Sequence, residues 1–213
     1  MALLISGGLD SSILLQKLVH NKIKIYPIYV RNGNYWEKIE RYWLNAFLKT
    51  VKQSSVHKLT ELHLPTNDLY QNFWAINGKK VPSARSKDEA VYLPGRNILL
   101  IAKTAIFCMH HRIHEIILAS LKTNPFLDAK PEFFRQYSSL LSQALNFPIQ
   151  IKTPLAKMTK KEVMLVGKDW RLDLTFSCIA PEGKKHCGKC NKCAERKVAF
   201  KTAGIKDSTH YAD

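Results

Sequence analysis

Two stretches of this 213-residue chain carry residues whose types and spacing could do chemistry. The first is the string SGGLDSS at residues 6–12. Glycines let a backbone approach a phosphate group closely, and serine hydroxyls add hydrogen-bond donors. Where a helix follows such a loop, the unpaired amides of its first turn and its dipole point at the same position. The string therefore predicts a phosphate site.

We take every residue of the string as a candidate ligand of that phosphate: Ser6, Gly7, Gly8, Leu9, Asp10, Ser11 and Ser12. Asp10 would repel phosphate unless loop amides or a Mg²⁺ ion neutralise its charge, so we expect Mg²⁺ beside it and a role in catalysis. The string contains neither the lysine of G-x-x-x-x-G-K-[ST] nor the pattern G-x-G-x-x-G. A tight turn capped by Asp10 or Ser11 is the competing interpretation.

The second stretch holds four cysteines spaced C-x8-C-x2-C-x2-C, and they are Cys178, Cys187, Cys190 and Cys193. A spacing of two residues lets two thiolates reach one ion, and an earlier cysteine completes a tetrahedron. We predict a closed, structural Zn²⁺ site, with an iron–sulfur cluster as the alternative that shares these ligands. Cys108 lies on an apolar helical stretch, where a buried core thiol is expected.

Two further segments supply candidate polar residues. The string PGRN begins a helix with Arg96 in its first turn, where a cation opposes the helix dipole unless an anion such as phosphate lies nearby. An ordinary capped helix start is the alternative. Asp128 and Glu132 flank a proline between a predicted strand and a predicted helix, a location where open parallel sheets bind ligands. We predict that both bind substrate, and the competing view is a solvated pair at a helix start.

The elements that must position these residues alternate between strands and helices. Apolar runs predict strands at 1–5, 23–30, 56–64, 115–119 and 149–153. Helical spacing predicts helices at 13–18, 36–51, 98–111, 131–147 and 194–203, and Thr159 with Glu162 forms a capping box for one more. The repeated order predicts an α/β fold with a parallel sheet. We expect a main α/β domain at 1–155 and a small helical zinc-binding segment at 156–213.

Charge and hydropathy limit the classes of partner that the protein can have. The formal net charge of +16 favours polyanions, but no block of lysine and arginine resembles a nucleic-acid-binding tail, so nucleic acid is not the favoured partner. No window reaches the run of about 18 apolar residues that spans a bilayer. The first predicted strand begins at Met1, which leaves no room for a signal peptide. We expect a cytoplasmic protein with no membrane partner.

Taken together, the motifs resemble the 7-cyano-7-deazaguanine synthase family of PP-loop ATP pyrophosphatases. The matching strings are SGGLDSS, YLPGRN, DAKPEFF and TFSCIAPEGKKHCGKCNKCAERKVAF, and they span nearly the whole chain in the family's order. The resemblance implies an open five-stranded parallel sheet of the adenine nucleotide alpha hydrolase-like type, with strand order 3-2-1-4-5 and helices on both faces. It also implies ATP over the carboxyl ends of the strands and a small C-terminal zinc-binding subdomain.

The resemblance further implies an activity. Family members cleave ATP to AMP and pyrophosphate, adenylate 7-carboxy-7-deazaguanine, and convert it with ammonia to 7-cyano-7-deazaguanine in queuosine biosynthesis. By matching positions, the loop holds the ATP phosphates and Arg96 and Asn97 line the active site as catalytic residues. The implied partners are a small-molecule carboxylate and ammonia, and a homodimer is left open.

Two segments depart from the family pattern. This chain has LKTNPFLD where many members have D-Y-S-G-Y-P-D, and RNGNYWEKIE where many have a Y-G-Q-R-H string. A related PP-loop enzyme could keep every ATP and zinc motif while it activates a different carboxylate, modifies tRNA, or conjugates a deazapurine to a protein amine. These activities are the alternatives to the nitrile synthase.

Overall fold

A five-stranded sheet forms the centre of the computed structural model, which describes residues 1–51 and 53–212. Lys52 and Asp213, which fall in the predicted units 1–155 and 156–213, lie outside the described residues. The strands are β1 (Ala2–Leu4), β2 (Tyr26–Arg31), β3 (Thr60–His63), β4 (Glu115–Ile117) and β5 (Gln150–Lys152). All neighbours pair in parallel, and their order is β3-β2-β1-β4-β5. The expected fold and strand order are confirmed.

Helices connect the strands, as parallel pairing requires. They are α1 (Leu9–His20), α2 (Glu37–Leu48), α3 (Trp74–Asn77), α4 (Arg96–His110), α5 (Pro131–Leu145), α6 (Lys160–Val166) and α7 (Asn191–Ala203). The predicted capping box is present, since Glu162 N–H donates to Thr159 Oγ1 and the Glu162 carboxylate accepts from Thr159 N–H. Among the described residues, no helix combines the length and the apolar character needed to cross a membrane.

Successive residues of β1 face opposite sides of the sheet, because side chains alternate along a strand. Leu3 is buried with α1, α2, α6 and α7, whereas Ala2 is buried with α4 and α5. Helices therefore cover both faces, as expected. Val163 of α6 and Phe200 of α7 share the first of these cores with α1, and the division into units 1–155 and 156–213 stays a prediction.

The strand order reverses at β1, and this reversal sets the position of the site. The chain adds β2 and β3 on one side of β1, then β4 and β5 on the other. Connections that leave β1 and β4 therefore run to opposite faces of the sheet and open a crevice between them at the carboxyl ends of the strands.

The polar stretch 65–94, in which the sequence shows hardly any regular structure, packs against the cysteine segment. Ser83 pairs with Cys190 in an isolated bridge, and Ala84 N–H donates to the Lys189 carbonyl at 2.9 Å. The stretch contains α3 and a 3-10 turn at Asp88–Val91. Elements of four residues are too short to give a periodic signal, which is why the sequence indicates little there.

Candidate active site

The SGGLDSS string forms a tight turn between β1 and α1. Gly7 has φ +81°, and a Cβ at this position would lie 3.0 Å from Leu44 Cβ of α2. A side chain is therefore excluded by both the backbone conformation and the space available. The Gly7 carbonyl accepts a 2.8 Å hydrogen bond from Phe176 N–H, which ties the turn to the segment that precedes the first clustered cysteine.

The first turn of α1 keeps its amides available. Gly8 is the N-cap residue in an extended conformation, and among the described residues no side chain caps the helix. Ser11 Oγ donates to the Gly8 carbonyl at 3.3 Å, and Ser6 Oγ accepts from Gly8 N–H at 3.3 Å. Neither Asp10 nor Ser11 caps the helix, so the geometry disfavours the capped-turn interpretation. Free amides at the positive end of a helix favour an anion.

A chain of ion pairs runs from this turn into the C-terminal helices. Lys160 Nζ donates to both oxygens of Asp10, at 2.9 and 2.7 Å, and lies 3.1 Å from Glu195 Oε1. Lys192 Nζ lies 2.7 Å from the other oxygen of Glu195. Burial opposes the charge of Lys160, but Asp10 and Glu195 outweigh burial, so the pKa of Lys160 is raised above its usual value.

A second polar group lies on the β2 side of the crevice. Tyr29 Oη donates a 2.5 Å hydrogen bond to Glu40 Oε2, and both side chains are buried. Burial raises the pKa of Glu40 to about 7, against the opposing effects of Tyr29 and the nearby Arg96. Glu40 is therefore a carboxyl group that can exchange a proton near neutral pH.

Asn97 and Asp128 are hydrogen-bonded to each other on the side of the crevice opposite β2. Asn97 Nδ2 donates to the Asp128 carbonyl at 3.1 Å, and Asn97 N–H approaches Asp128 Oδ2 at 3.4 Å. Asp128 Oδ1 and Arg96 Nε are buried without a hydrogen-bond partner in the described part of the chain. Burial raises the pKa of Asp128 above its usual value. Unpartnered buried polar atoms of this kind need a partner from outside the fold.

The four cysteines converge as their spacing indicates. Their Sγ atoms all lie within 4.8 Å of one another, and the Cys178–Cys190 and Cys187–Cys193 pairs are 3.9 Å apart. A Zn²⁺ ion bound by four thiolates at about 2.3 Å sets the sulfurs about 3.8 Å apart. The cluster therefore fits one tetrahedral ion. Sulfurs this close leave no space for the several iron atoms of an iron–sulfur cluster.

Backbone amides support the thiolates. Ala180 and Cys187 N–H groups donate to Cys178 Sγ at 3.3 and 3.2 Å, and Lys189 and Cys190 N–H groups donate to Cys187 Sγ at 3.4 and 3.3 Å. Such donors offset the negative charge that four thiolates leave on a Zn²⁺ ion. The ligand type, the distances and the second layer of donors all suit zinc.

Comparison with known proteins decides the family. The family model described as queuosine biosynthesis protein QueC matches residues 1–204. The chain belongs to the QueC family. It is 28% identical to a 7-cyano-7-deazaguanine synthase of Methanothrix thermoacetophila, over 98% of this chain and 96% of that protein. It is 29% identical to a protein of the same name from Picrophilus torridus, over 99% of this chain and 90% of the relative.

A solved structure supports the fold of this QueC-family chain. The crystal structure of a predicted subunit of tRNA methyltransferase from Methanocaldococcus jannaschii superposes with a TM-score of 0.51 at 16% identity. The match covers 100% of this chain and 91% of the other. At this level of sequence identity, the similarity shows only that the two chains share an arrangement of strands and helices.

One cleft of about 380 Å³ gathers most of the predicted site of the QueC-family chain. The predicted residues that line it are Ser6, Gly8, Leu9, Asp10, Ser11, Arg96 and Asn97. Gly7 and Ser12 are buried and do not line the cleft, and Asp128 is buried against Asn97. The structure does not bring Glu132 to the cleft: its side chain is 58% exposed and binds Arg135 and Gln136.

Sequence reasoning missed several residues of the cleft: Tyr29, Glu40, Lys160, Lys192, Glu195 and Arg196. Arg196 is 1% exposed and donates to Thr175 Oγ1, Thr209 Oγ1 and the Leu172 carbonyl, which fixes the segment before the cysteines against α7. Its position three residues after Cys193 was the one available signal. No sequence signal pointed to Lys160, because a lysine at a helix start is usually a solvated residue.

Proposed function

We propose that this QueC-family chain is an ATP-dependent 7-cyano-7-deazaguanine synthase. The observation that carries the proposal is one cleft that is lined both by the SGGLDSS turn before α1 and by Arg96 and Asn97 at the start of α4. Family membership over residues 1–204 and relatives of that name at nearly full length support the same activity. The enzyme uses ATP and acts on a small-molecule carboxylate.

The first step is adenylation. A carboxylate oxygen of 7-carboxy-7-deazaguanine attacks the α-phosphorus of ATP, the bond from that phosphorus to the bridging oxygen breaks, and pyrophosphate leaves. The reaction needs no nucleophile from the protein, because the substrate supplies one. The free amides of the first turn of α1 and the Arg96 guanidinium stabilise negative charge on the phosphate groups.

Ammonia completes the conversion. It attacks the carbonyl carbon of the acyl adenylate, AMP leaves, and a proton is released as the primary amide forms. The amide oxygen then attacks the α-phosphorus of a second ATP and pyrophosphate leaves again. Loss of AMP and of both N–H protons of the amide gives the nitrile. Each carbon–oxygen bond is broken with AMP as the leaving group, which avoids the expulsion of hydroxide or oxide.

The metal ions have separate roles. Asp10 is the carboxylate next to the phosphate turn and is the residue that we assign to Mg²⁺, which neutralises phosphate charge when bound. The four cysteines would hold Zn²⁺ in a closed site with no open position for substrate. A Zn²⁺ ion held there would be structural, because Cys178 lies between Ser177 and Ile179, both of which line the cleft, and its ligation would fix that segment.

Substrate recognition is assigned to the side of the cleft next to β4. Asp128 lies directly behind Asn97 and not on the cleft surface. Its buried, unpartnered carboxylate oxygen is the acceptor that we assign to the N–H groups of a purine-like edge. Glu132 has both of its oxygens engaged on the surface, so Asp128 is the stronger of the two candidates. The structure is of one chain, and the homodimer stays a prediction.

The test follows the nucleotide products. Zinc-loaded protein is incubated with ATP, magnesium and ammonium, with either 7-carboxy-7-deazaguanine or guanine, and the nucleotides are separated by chromatography. We expect AMP and pyrophosphate with the acid and neither with guanine, which lacks the carboxylate. ADP in place of AMP would refute the adenylation chemistry. Adenylation of a different carboxylate, or labelling of tRNA or protein, would favour the related PP-loop activities instead.

A further inference from the structure

The attack of ammonia on an acyl adenylate requires a proton acceptor. The nitrogen that bonds to the carbonyl carbon carries a positive charge until one of its protons leaves. A positioned side chain that accepts such a proton increases the rate by a factor of about 100 to 10,000, and it is most effective when its pKa is close to the working pH. The acceptor must also be unprotonated when ammonia attacks.

Three acids line the cleft in the described part of the chain: Asp10, Glu40 and Glu195. Asp10 accepts two hydrogen bonds from Lys160, and Glu195 contacts both Lys160 and Lys192. Burial would raise the pKa of Glu195, but the two lysines outweigh burial and hold the pKa at about 2, which makes this carboxylate a poor base. Among the described residues that line the cleft there is no histidine, and Glu40 is the one acid outside an ion pair.

The surroundings of Glu40 suit a group that both accepts and releases a proton. Tyr29 Oη of β2 donates a 2.5 Å hydrogen bond to Glu40 Oε2. Burial raises the pKa of Glu40 to about 7, opposed by Tyr29, by Arg96 at the start of α4 and by the Trp36 side chain, while the charge of Glu37 adds to the rise. Both forms of the carboxyl group are therefore populated near neutral pH.

Arg96 relates Glu40 to the position of the reaction. The positive charge of Arg96 acts on both Glu40 and Asp128, so it lies near both carboxyl groups. The proposed function assigns the purine-like edge of the acid to Asp128 and phosphate charge to Arg96. The acyl carbon of the adenylate joins the acid to the α-phosphate. This binding mode therefore puts the acyl carbon next to Arg96, on the cleft that Glu40 and Tyr29 also line.

A structural role alone explains the buried Glu40 less well. Glu40 is 8% exposed, and a buried carboxyl group with a raised pKa destabilises the folded state once the group ionises. The helix does not need this contact to pack, because Leu44 and Phe47 of α2 already lie in the same apolar core as Tyr29. Buried groups with perturbed pKa values cluster at functional sites.

We infer that Glu40 is the base that accepts a proton from the attacking ammonia, and that Tyr29 positions it. The nitrogen forms its bond to the carbonyl carbon, and one N–H proton passes to the Glu40 carboxylate. The carbon–oxygen bond to AMP breaks, and AMP leaves with the electron pair. Glu40 then gives the proton to water. The inference rests on the proposed synthase activity and adds a base to it.

The two halves of the reaction can be measured separately. Exchange of labelled pyrophosphate into ATP, dependent on 7-carboxy-7-deazaguanine, reports adenylation without ammonia. Single-turnover formation of the amide, after ammonium is added to the preformed adenylate, reports the attack. Both would be measured for the wild type, for Glu40→Gln, for Tyr29→Phe and for the control Glu61→Gln. Glu61 is an acid that pairs with Arg41 and does not line the cleft.

Glu40→Gln keeps the size of the side chain but cannot accept the proton. We expect its amide formation to be at least about 100-fold slower than in the wild type, while pyrophosphate exchange changes less than about twofold. Glu61→Gln should match the wild type in both assays.

The pH profile tests the base without depending on the folding of a variant. At a fixed concentration of unprotonated ammonia, amide formation by the wild type should rise through pH about 7 and then level off, because Glu40 accepts a proton only in its ionised form. Tyr29 lowers the pKa of Glu40, so Tyr29→Phe should move this rise to higher pH. Glu40→Gln should lack the rise.

Three outcomes would overturn the inference. Equal losses of pyrophosphate exchange and amide formation in Glu40→Gln would show a structural effect on the whole cleft. Unchanged amide formation, or a rise near pH 7 that persists in Glu40→Gln, would assign the proton to another group. Absence of acid-dependent exchange in the wild type would refute the proposed function together with the inference, and it is distinguishable because exchange requires neither ammonia nor a base.

Discussion

The ammonium of Lys160 lies 2.7 Å from Asp10 Oδ2, and the two residues are 150 positions apart in the chain. The contact places the start of α6 beside the SGGLDSS turn that precedes α1. Glu195 extends the contact to α7, which also carries Cys193 of the metal cluster. The proposed nucleotide site is therefore complete only when the N-terminal turn and the C-terminal helices fold together.

Asp10 is the residue on which turnover should depend most. Asp10→Asn keeps the shape of the side chain but removes the charge that would bind Mg²⁺ and that pairs with Lys160. We expect kcat for AMP formation to fall at least about 100-fold, the loss typical of one electrostatic group in an active site. AMP and pyrophosphate would be quantified for the wild type, for Asp10→Asn and for the control Asp169→Asn. Asp169 is an exposed acid outside the cleft. Turnover of Asp10→Asn at the wild-type rate would exclude Asp10 from catalysis.

The cysteine cluster should couple metal content to stability. Cys190→Ser removes one of four ligands, and because metal binding free energy is also folding free energy, both zinc content and Tm should fall. A loss of several kcal/mol corresponds to on the order of 10 °C for a domain of this size. Elemental analysis and thermal melts measure the two quantities on the same sample.

Cys108→Ser is the matched control, because Cys108 is buried in α4 and belongs to the core on the other face of the sheet. It should lower Tm without a change in zinc content. Equal zinc in Cys190→Ser and the wild type, or iron and sulfide in place of zinc in protein purified anaerobically, would contradict the structural-zinc assignment.

Substitution of Asp128 should change the KM for the acid without changing the KM for ATP. Asp128→Asn weakens an acceptor that a bound purine-like edge would use, and a buried polar group that loses its partner costs about 1–3 kcal/mol, or roughly 5- to 150-fold in KM. Steady-state kinetics should show a higher KM for the acid and an unchanged KM for ATP. Glu132→Gln should have a smaller effect, because Glu132 lies on the surface. Equal increases in the two KM values for Asp128→Asn would place Asp128 in the ATP site instead.

Glu40 should make the stability depend on pH. Its pKa is raised from 4.5 to about 7 by burial, so the folded state binds this proton more tightly than the unfolded state. Its contribution is therefore fully favourable below about pH 4.5 and is lost as the pH rises to 7, by on the order of 3 kcal/mol. Glu40→Gln should remove that slope and be more stable than the wild type at pH 8. Urea unfolding at several pH values tests this, with the exposed Glu89→Gln as the control. A slope that persists in Glu40→Gln would refute the assignment.

The sequence predicts the parts of the site that lie close together in the chain. SGGLDSS between a strand and a helix favours a phosphate site over an ordinary capped turn, and four thiols at short spacing favour a tetrahedral metal site. The repeated strand and helix pattern indicates the parallel sheet, whereas its order of 3-2-1-4-5 came from the family resemblance. Local spacing cannot specify which strand pairs with which.

Local sequence patterns do not predict contacts between residues that lie far apart in the chain. Tyr29 of β2 donates a hydrogen bond to Glu40 in the first turn of α2. Acidic residues at helix starts are usually solvated, so the sequence does not predict this buried contact. The prediction paired Asp128 with Glu132 because both flank Pro131, yet one is buried and the other is exposed. The direction in which a helix start presents each side chain depends on how the helix packs, and that is set by the whole fold.

The most direct test of the central claim is the fate of nitrogen from ammonium. Zinc-loaded protein would be incubated with ¹⁵N-ammonium, ATP, magnesium and 7-carboxy-7-deazaguanine, and the products would be identified by mass spectrometry. We predict the amide and then the nitrile, each with a single ¹⁵N atom, and AMP with pyrophosphate for every adenylation. Absence of both nitrogen-containing products, from protein that binds ATP and holds zinc, would contradict the assignment as a 7-cyano-7-deazaguanine synthase.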